Sequence, residues 1–136
     1  MERGVMDLSR YRLDKARGAL EAAKVLLNAG DYEGAANRSY YAIFHALRAV
    51  TALAKFDAKK HSAVIAYFNR NYIKPGIFDK SLSRVIKSAF ELRHSADYQD
   101  FYAVSIEQVR AQVGNAAEVI DVIADYLSRQ FSSGDD

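Results

Sequence analysis

The sequence predicts an all-α protein: an antiparallel up-down four-helix bundle with one additional short helix. Three observations predict it. Apolar residues recur every three to four positions through four long segments, the mark of helices with one buried stripe. No run alternates apolar and polar residues over a useful length, so strands are not expected. The breaks are few and short, with one proline among 136 residues, in Lys74-Pro75-Gly76.

Each element follows from its own signals. The spacing of Leu13, Ala16, Leu20, Ala23 and Leu27 predicts a first helix over Ser9 to Asn28. Gly30 is placed to cap its C-terminus and Asp31 to cap the next N-terminus, so the first two helices form a tight hairpin. The second helix runs from Tyr32 to about Lys55, with Tyr32, Ala36, Tyr40, Ile43, Leu47, Val50 and Ala54 in rhythm. A break around Phe56 to Lys60 precedes a short third helix over His61 to about Tyr72. A fourth spans Ser81 to Ser95, with Leu82, Val85, Ile86, Ala89 and Phe90 inward. After a break over Asp97 to Val104, Ser105-Ile106-Glu107-Gln108 is a capping box. It opens a fifth helix in which Ile106, Val109, Val113, Ala116, Ile120, Ile123 and Leu127 repeat. The expected organisation is one helical domain over 1–136, with its core over about 8–130 and a frayed polar tail over 132–136.

Composition narrows the function classes. Half the residues are hydrophobic, which suits a packed globule. The absence of cysteine rules out disulfides and thiolate metal sites. No signal-like apolar run follows the first ten residues, and none approaches the roughly 20 needed to span a bilayer. A cytoplasmic location and no membrane partner are expected. The net charge of +2 does not announce a nucleic-acid binder, so contact with RNA requires a local patch. Lys59, Lys60, Arg70 and Lys74 are candidates for one, against the plainer reading of a solvated face.

Chemistry concentrates on the second helix. Arg38, Tyr41, Ala42, His45, Ala49 and Ala52 fall in one wedge opposite the Ile43 and Leu47 stripe, at about 100 degrees per residue. Small residues and the absence of Lys and Glu there predict a covering surface, most simply a second copy in a homodimer. Histidine transfers protons near neutral pH, and arginine grips a phosphate through paired hydrogen bonds. Arg38 and His45, two turns apart, therefore suit phosphodiester chemistry without metal; a hydrogen-bonded pair inside the bundle is the alternative. On the fourth helix Arg93 and Asp97 are spaced to pair, with Asp97 free to orient an arginine or His45. His61 and His94 are read as exposed or capping. Glu91 and His94 have the Glu-x-x-His spacing of di-iron bundles, but that site needs a second such motif and further inward glutamates. No metal or other cofactor is expected. The chain also has no nucleophile elbow and no phosphate-binding glycine loop.

Three segments, taken in order, resemble the small stand-alone HEPN proteins of bacteria and archaea. They are Asn37-Arg38-Ser39-Tyr40-Tyr41-Ala42-Ile43-Phe44-His45, Lys60-His61-Ser62-Ala63-Val64-Ile65, and Glu91-Leu92-Arg93-His94-Ser95-Ala96-Asp97-Tyr98. The resemblance covers about Leu8 to Leu127 and implies a dimeric antiparallel bundle. It also implies a metal-independent RNase, in several cases a toxin whose antitoxin is a minimal nucleotidyltransferase. The family signature of Arg, four to six residues, then His is met by Arg38 and His45. Arg38 and His45 would be catalytic, with Asn37, Tyr41, Arg93, Asp97 and Tyr98 supporting or binding. Some of these toxins carry a partner-modified tyrosine two residues beyond the histidine, where this chain has Leu47. The alternative implied is a non-catalytic module that binds a nucleotide or works with a nucleotidyltransferase partner.

Overall fold

The structure, a computed structural model, describes residues 1–98 and 104–134. Five α-helices account for most of them: α1 (Arg3–Asn28), α2 (Tyr32–Thr51), α3 (His61–Phe68), α4 (Ser81–Tyr98) and α5 (Ile106–Gly134). A 3-10 turn, Ala52–Ala54, extends α2, and a π-helical turn, Asn69–Ile73, extends α3. Among the described residues there is no strand. The all-helical expectation holds, with α3 as the short addition between the long helices α2 and α4.

The α1–α2 hairpin is built by its turn residues. Gly30 adopts φ +84°, a left-handed conformation that costs glycine nothing, and this lets the chain reverse. Asp31 Oδ1 then accepts the Gly34 N–H at 2.9 Å and caps α2. At the far end Lys55, at φ 56°, terminates the 3-10 turn and sends the chain into the loop before α3. Ser105 Oγ accepts the Gln108 N–H at 3.1 Å and starts α5 as the capping box predicts.

Helix α2 lies at the centre of the molecule, packed against α1, α3, α4 and α5. Tyr40, Ile43, Leu47 and Val50 on α2 are fully buried against Ile86 of α4 and Val109, Ile120, Ile123 and Leu127 of α5. Its opposite face is closed by α1. Ala35, Ala42, Ala46 and Ala49 of α2 and Ala16, Ala19 and Ala23 of α1 are all buried in the one core, and such small residues allow two packed helices to approach closely. Ser9 Oγ donates to the Ala49 carbonyl at 2.6 Å, and Arg12 Nη1 donates to the Arg48 carbonyl at 3.1 Å. Ala42, Ala49 and Ala52 are therefore covered from within the chain. The sequence pattern pointed to a second copy as that cover, whereas α1 of the same chain supplies it for these three alanines.

A buried polar seam joins α2 to α5. Gln112 is 6 % exposed, and its Nε2 donates to the Ala36 carbonyl at 2.9 Å and to Ser39 Oγ at 2.7 Å. Ser39 Oγ in turn donates to the Ala35 carbonyl at 2.7 Å. Several boundaries differ from expectation. α1 begins six residues earlier, because Met6 and Ser9 are buried against the end of α2. The regular α2 stops at Thr51. α4 runs on through Tyr98, and the rest of the expected break, 99–103, lies outside the described residues. α5 continues to Gly134 where a frayed tail was expected, and 135–136 also lie outside.

Candidate functional site

With α1 covering the alanines, α2 keeps one half-open stripe. It carries Arg38, Tyr41, His45 and Arg48, spaced by three and four residues, and all four are half-buried. Tyr41 is the hub. Arg38 stacks on its ring, with Cζ 5.0 Å from the centroid, and both Arg38 Nε and Nη2 donate to Asn37 Oδ1, at 3.0 and 2.8 Å. Arg93 arrives from α4 with Cζ 5.5 Å from the same ring, and its Nη2 donates to the Tyr41 hydroxyl at 3.3 Å. The His45 ring lies 5.9 Å from Tyr41, centroid to centroid. Two guanidiniums and one imidazole thus gather around one phenol, where cation–π attraction holds the arginines in place.

Asp97 settles on Arg93. Its Oδ2 lies 2.9 Å from Arg93 Nε, with Arg93 half-buried and Asp97 at the solvent edge, so Asp97 orients the arginine rather than His45. The two are i and i+4 on α4, the spacing that predicted a pair. Tyr98 closes α4, and its side chain is outside the described residues. Arg38, Asn37, Tyr41, His45, Arg93 and Asp97 therefore converge.

His45 is poised in an unusual state. Burial pushes its pKa down to about 4, and the nearby cations Lys15, Arg48 and Arg38, with His61, push the same way. The ring is neutral at physiological pH. Its Nδ1 is buried with no hydrogen-bond partner, which leaves Nε2 as the nitrogen available to an incoming proton.

His61 belongs to the cluster and is not the exposed or capping residue that its position at a helix start suggested. It stacks on Phe44 with centroids 3.9 Å apart, and its Nδ1 lies 2.8 Å from the Tyr40 hydroxyl. Burial raises the Tyr40 pKa far above its ordinary value, so the phenol is the donor and Nδ1 the acceptor. Burial, then Arg93 and Arg48, lower the His61 pKa, and this imidazole is neutral as well. Sequence spacing missed it because it reaches the site through the fold of the loop before α3.

A second charged knot sits at the edge of this cluster. Arg48 Nη2 contacts both Asp57 oxygens at 3.1 and 3.2 Å, and Arg12 lies 3.6 Å from Asp57. It ties α1, α2 and the loop before α3 together beside His61. Glu91 and His94 are exposed on α4, where His94 stacks on Phe90. Among the described residues no three His, Asp or Glu side chains gather in a metal-binding group. Nor, among these residues, is any helix long and apolar enough to cross a membrane.

Comparison with known proteins identifies the architecture that carries this cluster. The family model described as HEPN domain matches residues 9–126. The chain belongs to the HEPN family. It is 34% identical over 113 residues to a UPF0332 protein of Thermotoga maritima, covering 83% of this chain and 86% of that one. Two Methanocaldococcus jannaschii proteins, each named "Putative toxin", are 32% and 35% identical. Those matches cover 71% and 63% of this HEPN chain, and slightly less than two thirds of the relatives, 65% and 64%. The Arg-to-His signature quoted from the sequence falls on α2, on the half-open stripe.

Proposed function

We propose that this HEPN protein is a metal-independent endoribonuclease of toxin type that cleaves RNA at the Arg38–Tyr41–His45–Arg93 cluster. One observation carries the reading: Arg38, Arg93 and neutral His45 all lie within 6 Å of the Tyr41 ring. The chemistry follows from what each group offers. The ribose 2′-hydroxyl attacks the adjacent phosphorus and gives its proton to His45 Nε2. The bond from phosphorus to the 5′ oxygen breaks, and that oxygen leaves with a proton from water. The products are a 2′,3′-cyclic phosphate and a 5′-hydroxyl end. Arg38 and Arg93 neutralise the charge that builds on the non-bridging oxygens, with Asp97 holding Arg93 in register. The cations that depress the His45 pKa are themselves offset when an anionic phosphate binds. The imidazole then becomes a better base at the moment it is needed. In this reading two copies pair so that the half-open stripe of α2 lines a shared cleft. The two relatives named "Putative toxin" favour a paired system with an antitoxin, which in this reading is a minimal nucleotidyltransferase.

The test is incubation of purified protein with single-stranded RNA and excess EDTA. A positioned general base contributes roughly a hundred- to ten-thousand-fold. His45→Ala should therefore abolish most cleavage while the helical circular dichroism persists, and Arg38→Ala should weaken both binding and rate. Uncut RNA with the wild type, or undiminished cutting by His45→Ala, would sink the proposal. A second reading draws on the open cleft lined by Phe44, Arg48, Asp57, Ala58, Lys59 and His61, where the half-buried His61 ring stands beside Lys59 and the Asp57-paired Arg48. It makes the protein a non-catalytic module that binds a nucleotide and partners a nucleotidyltransferase. Nucleotide binding by calorimetry without RNA cleavage would place it ahead.

A further inference from the structure

The positive charge of the chain is concentrated in one stretch. Residues 59–87 hold seven Lys and Arg against the single acid Asp79, whereas the remaining residues hold twelve against sixteen acids. A net charge of +2 therefore conceals a basic pole and an acidic remainder. Five of those cations line or flank one groove. Two adjoining hollows between the α3 arm and α4 share Ala66, Asn69 and Ser83 as walls, and so form one continuous channel. Arg70 and Lys74 border it from the α3 side, and Lys80, Arg84 and Lys87 from the α4 side. All five are exposed, and among the described residues none has an acidic side chain within ion-pair distance. Asp79 accepts the Ser81 N–H at 2.8 Å and is engaged in starting α4, with Lys80 and Arg84 near enough to help hold its carboxyl below the ordinary range; Glu91, one turn after Lys87, makes no ion pair with it.

Unpaired cations facing one another across a channel repel, and an anion entering between them removes that repulsion. The channel offers more than charge. The Asn69 amide oxygen is buried along its wall without a hydrogen-bond donor, a demand that a hydroxyl or amino group meets and a bare phosphate does not. The groove also runs toward the cluster of the previous subsections. Its far end is lined by Phe90 and Ser62; Phe90 lies 6.1 Å from Tyr40, and Ser62 follows His61 in the chain. The eleven residues from Lys80 to Phe90 span about 15 Å at the helical rise. That is about four phosphates at the ~3.4 Å spacing of a stacked strand.

We propose that the α3–α4 groove is an RNA-tracking exosite, in which Arg70, Lys74, Lys80, Arg84 and Lys87 hold the phosphates of a single strand leading to the Tyr41 cluster. The choice of RNA rests on the ribonuclease reading; the groove itself is a separate set of residues. The test separates the two. A labelled 2′-O-methyl oligonucleotide of about a dozen residues resists cleavage, because its 2′ oxygen cannot attack. Its affinity is followed by fluorescence anisotropy against potassium chloride concentration, for the wild type and for Lys80→Glu/Arg84→Glu. Cleavage of a dinucleotide, too short to fill the groove, is measured in parallel. The wild type should bind with a steep salt dependence. The variant should bind at least about tenfold more weakly, with a slope shallower by roughly 1.4, the contribution of two phosphate contacts on a single strand. Its dinucleotide cleavage should match the wild type. Lys80→Gln/Arg84→Gln, which adds no new charge, should show a smaller loss in the same direction and guards against misfolding of the reversal.

Unchanged affinity and slope in both variants would overturn the exosite, as would a wild type that does not bind the oligonucleotide. Tight binding to polyglutamate without oligonucleotide binding would overturn the RNA assignment and give the groove to an acidic protein. Oligonucleotide binding that the variants weaken, with no dinucleotide cleavage by the wild type, would uphold the groove while the ribonuclease reading fails.

Discussion

Acidification should weaken the fold through His45 by an amount the structure allows to be worked out. The unfolded ring titrates at its ordinary 6.5, and the folded one at about 4 because burial and neighbouring cations oppose its charge. Below 6.5 the unfolded chain therefore binds a proton that the folded protein refuses. The stability contributed by the neutral ring is complete above 6.5 and is lost as pH falls toward 4. Between about pH 8 and about pH 5 the linkage amounts to about 2 kcal/mol for one such group. The ring is only part-buried, and screening reduces the expected loss to on the order of 1 kcal/mol. His61, whose pKa is lowered for the same first reason, adds a loss of the same sign. The assay is urea denaturation of the wild type and His45→Gln at both pH values. The wild type should lose on the order of 1 kcal/mol more than the variant across that window. Equal losses in the two proteins would refute the reasoning, as would an NMR titration placing the His45 midpoint near 6.5.

Gln112→Leu should destabilise by about 1–3 kcal/mol in thermal or urea unfolding, because it leaves the Ser39 hydroxyl and Ala36 carbonyl without their shared donor. A neutral or stabilising outcome would mean that the α2–α5 seam packs equally well without its polar core. Light scattering at micromolar concentration should give twice the chain mass, and Tyr41→Glu on the half-open stripe should shift it to the monomer. A wild-type monomer would remove the shared cleft from the proposed mechanism.

Local rules carried most of the helical layout. Gly30 and Asp31 marked the hairpin turn, Ser105 marked the start of α5, and the three- and four-residue spacing selected the buried faces of α2 and α5. The long-range pairings were not legible. Periodicity says that Ala42 and Ala49 lie under something; it does not say whether the cover is α1 or another molecule. Gln112 looks like a surface residue until its partners, more than 70 positions away, are seen. His61 stands at a helix start, where solvent is the usual neighbour, and only the loop pinned by Asp57 to Arg48 and Arg12 folds it onto Phe44. Within the cluster, Arg38, Tyr41 and His45 were found because one helix carries them all. Arg93 and Asp97 were found as a pair, and their meeting with Tyr41 depended on how α4 docks.

That division has a consequence for the order in which the protein is made. The α1–α2 hairpin turns on residues adjacent in sequence and is largely closed by its own alanines, so it forms early and locally. It carries Arg38, Tyr41 and His45. Arg93 lies 48 positions after His45, on a helix that packs only once the second half of the chain has left the ribosome. A nascent chain ending anywhere before α4 carries Arg38 and Arg48 beside the imidazole but no second cation over the phenol. The cluster around Tyr41 is therefore completed only when α4 docks and brings Arg93 to the ring.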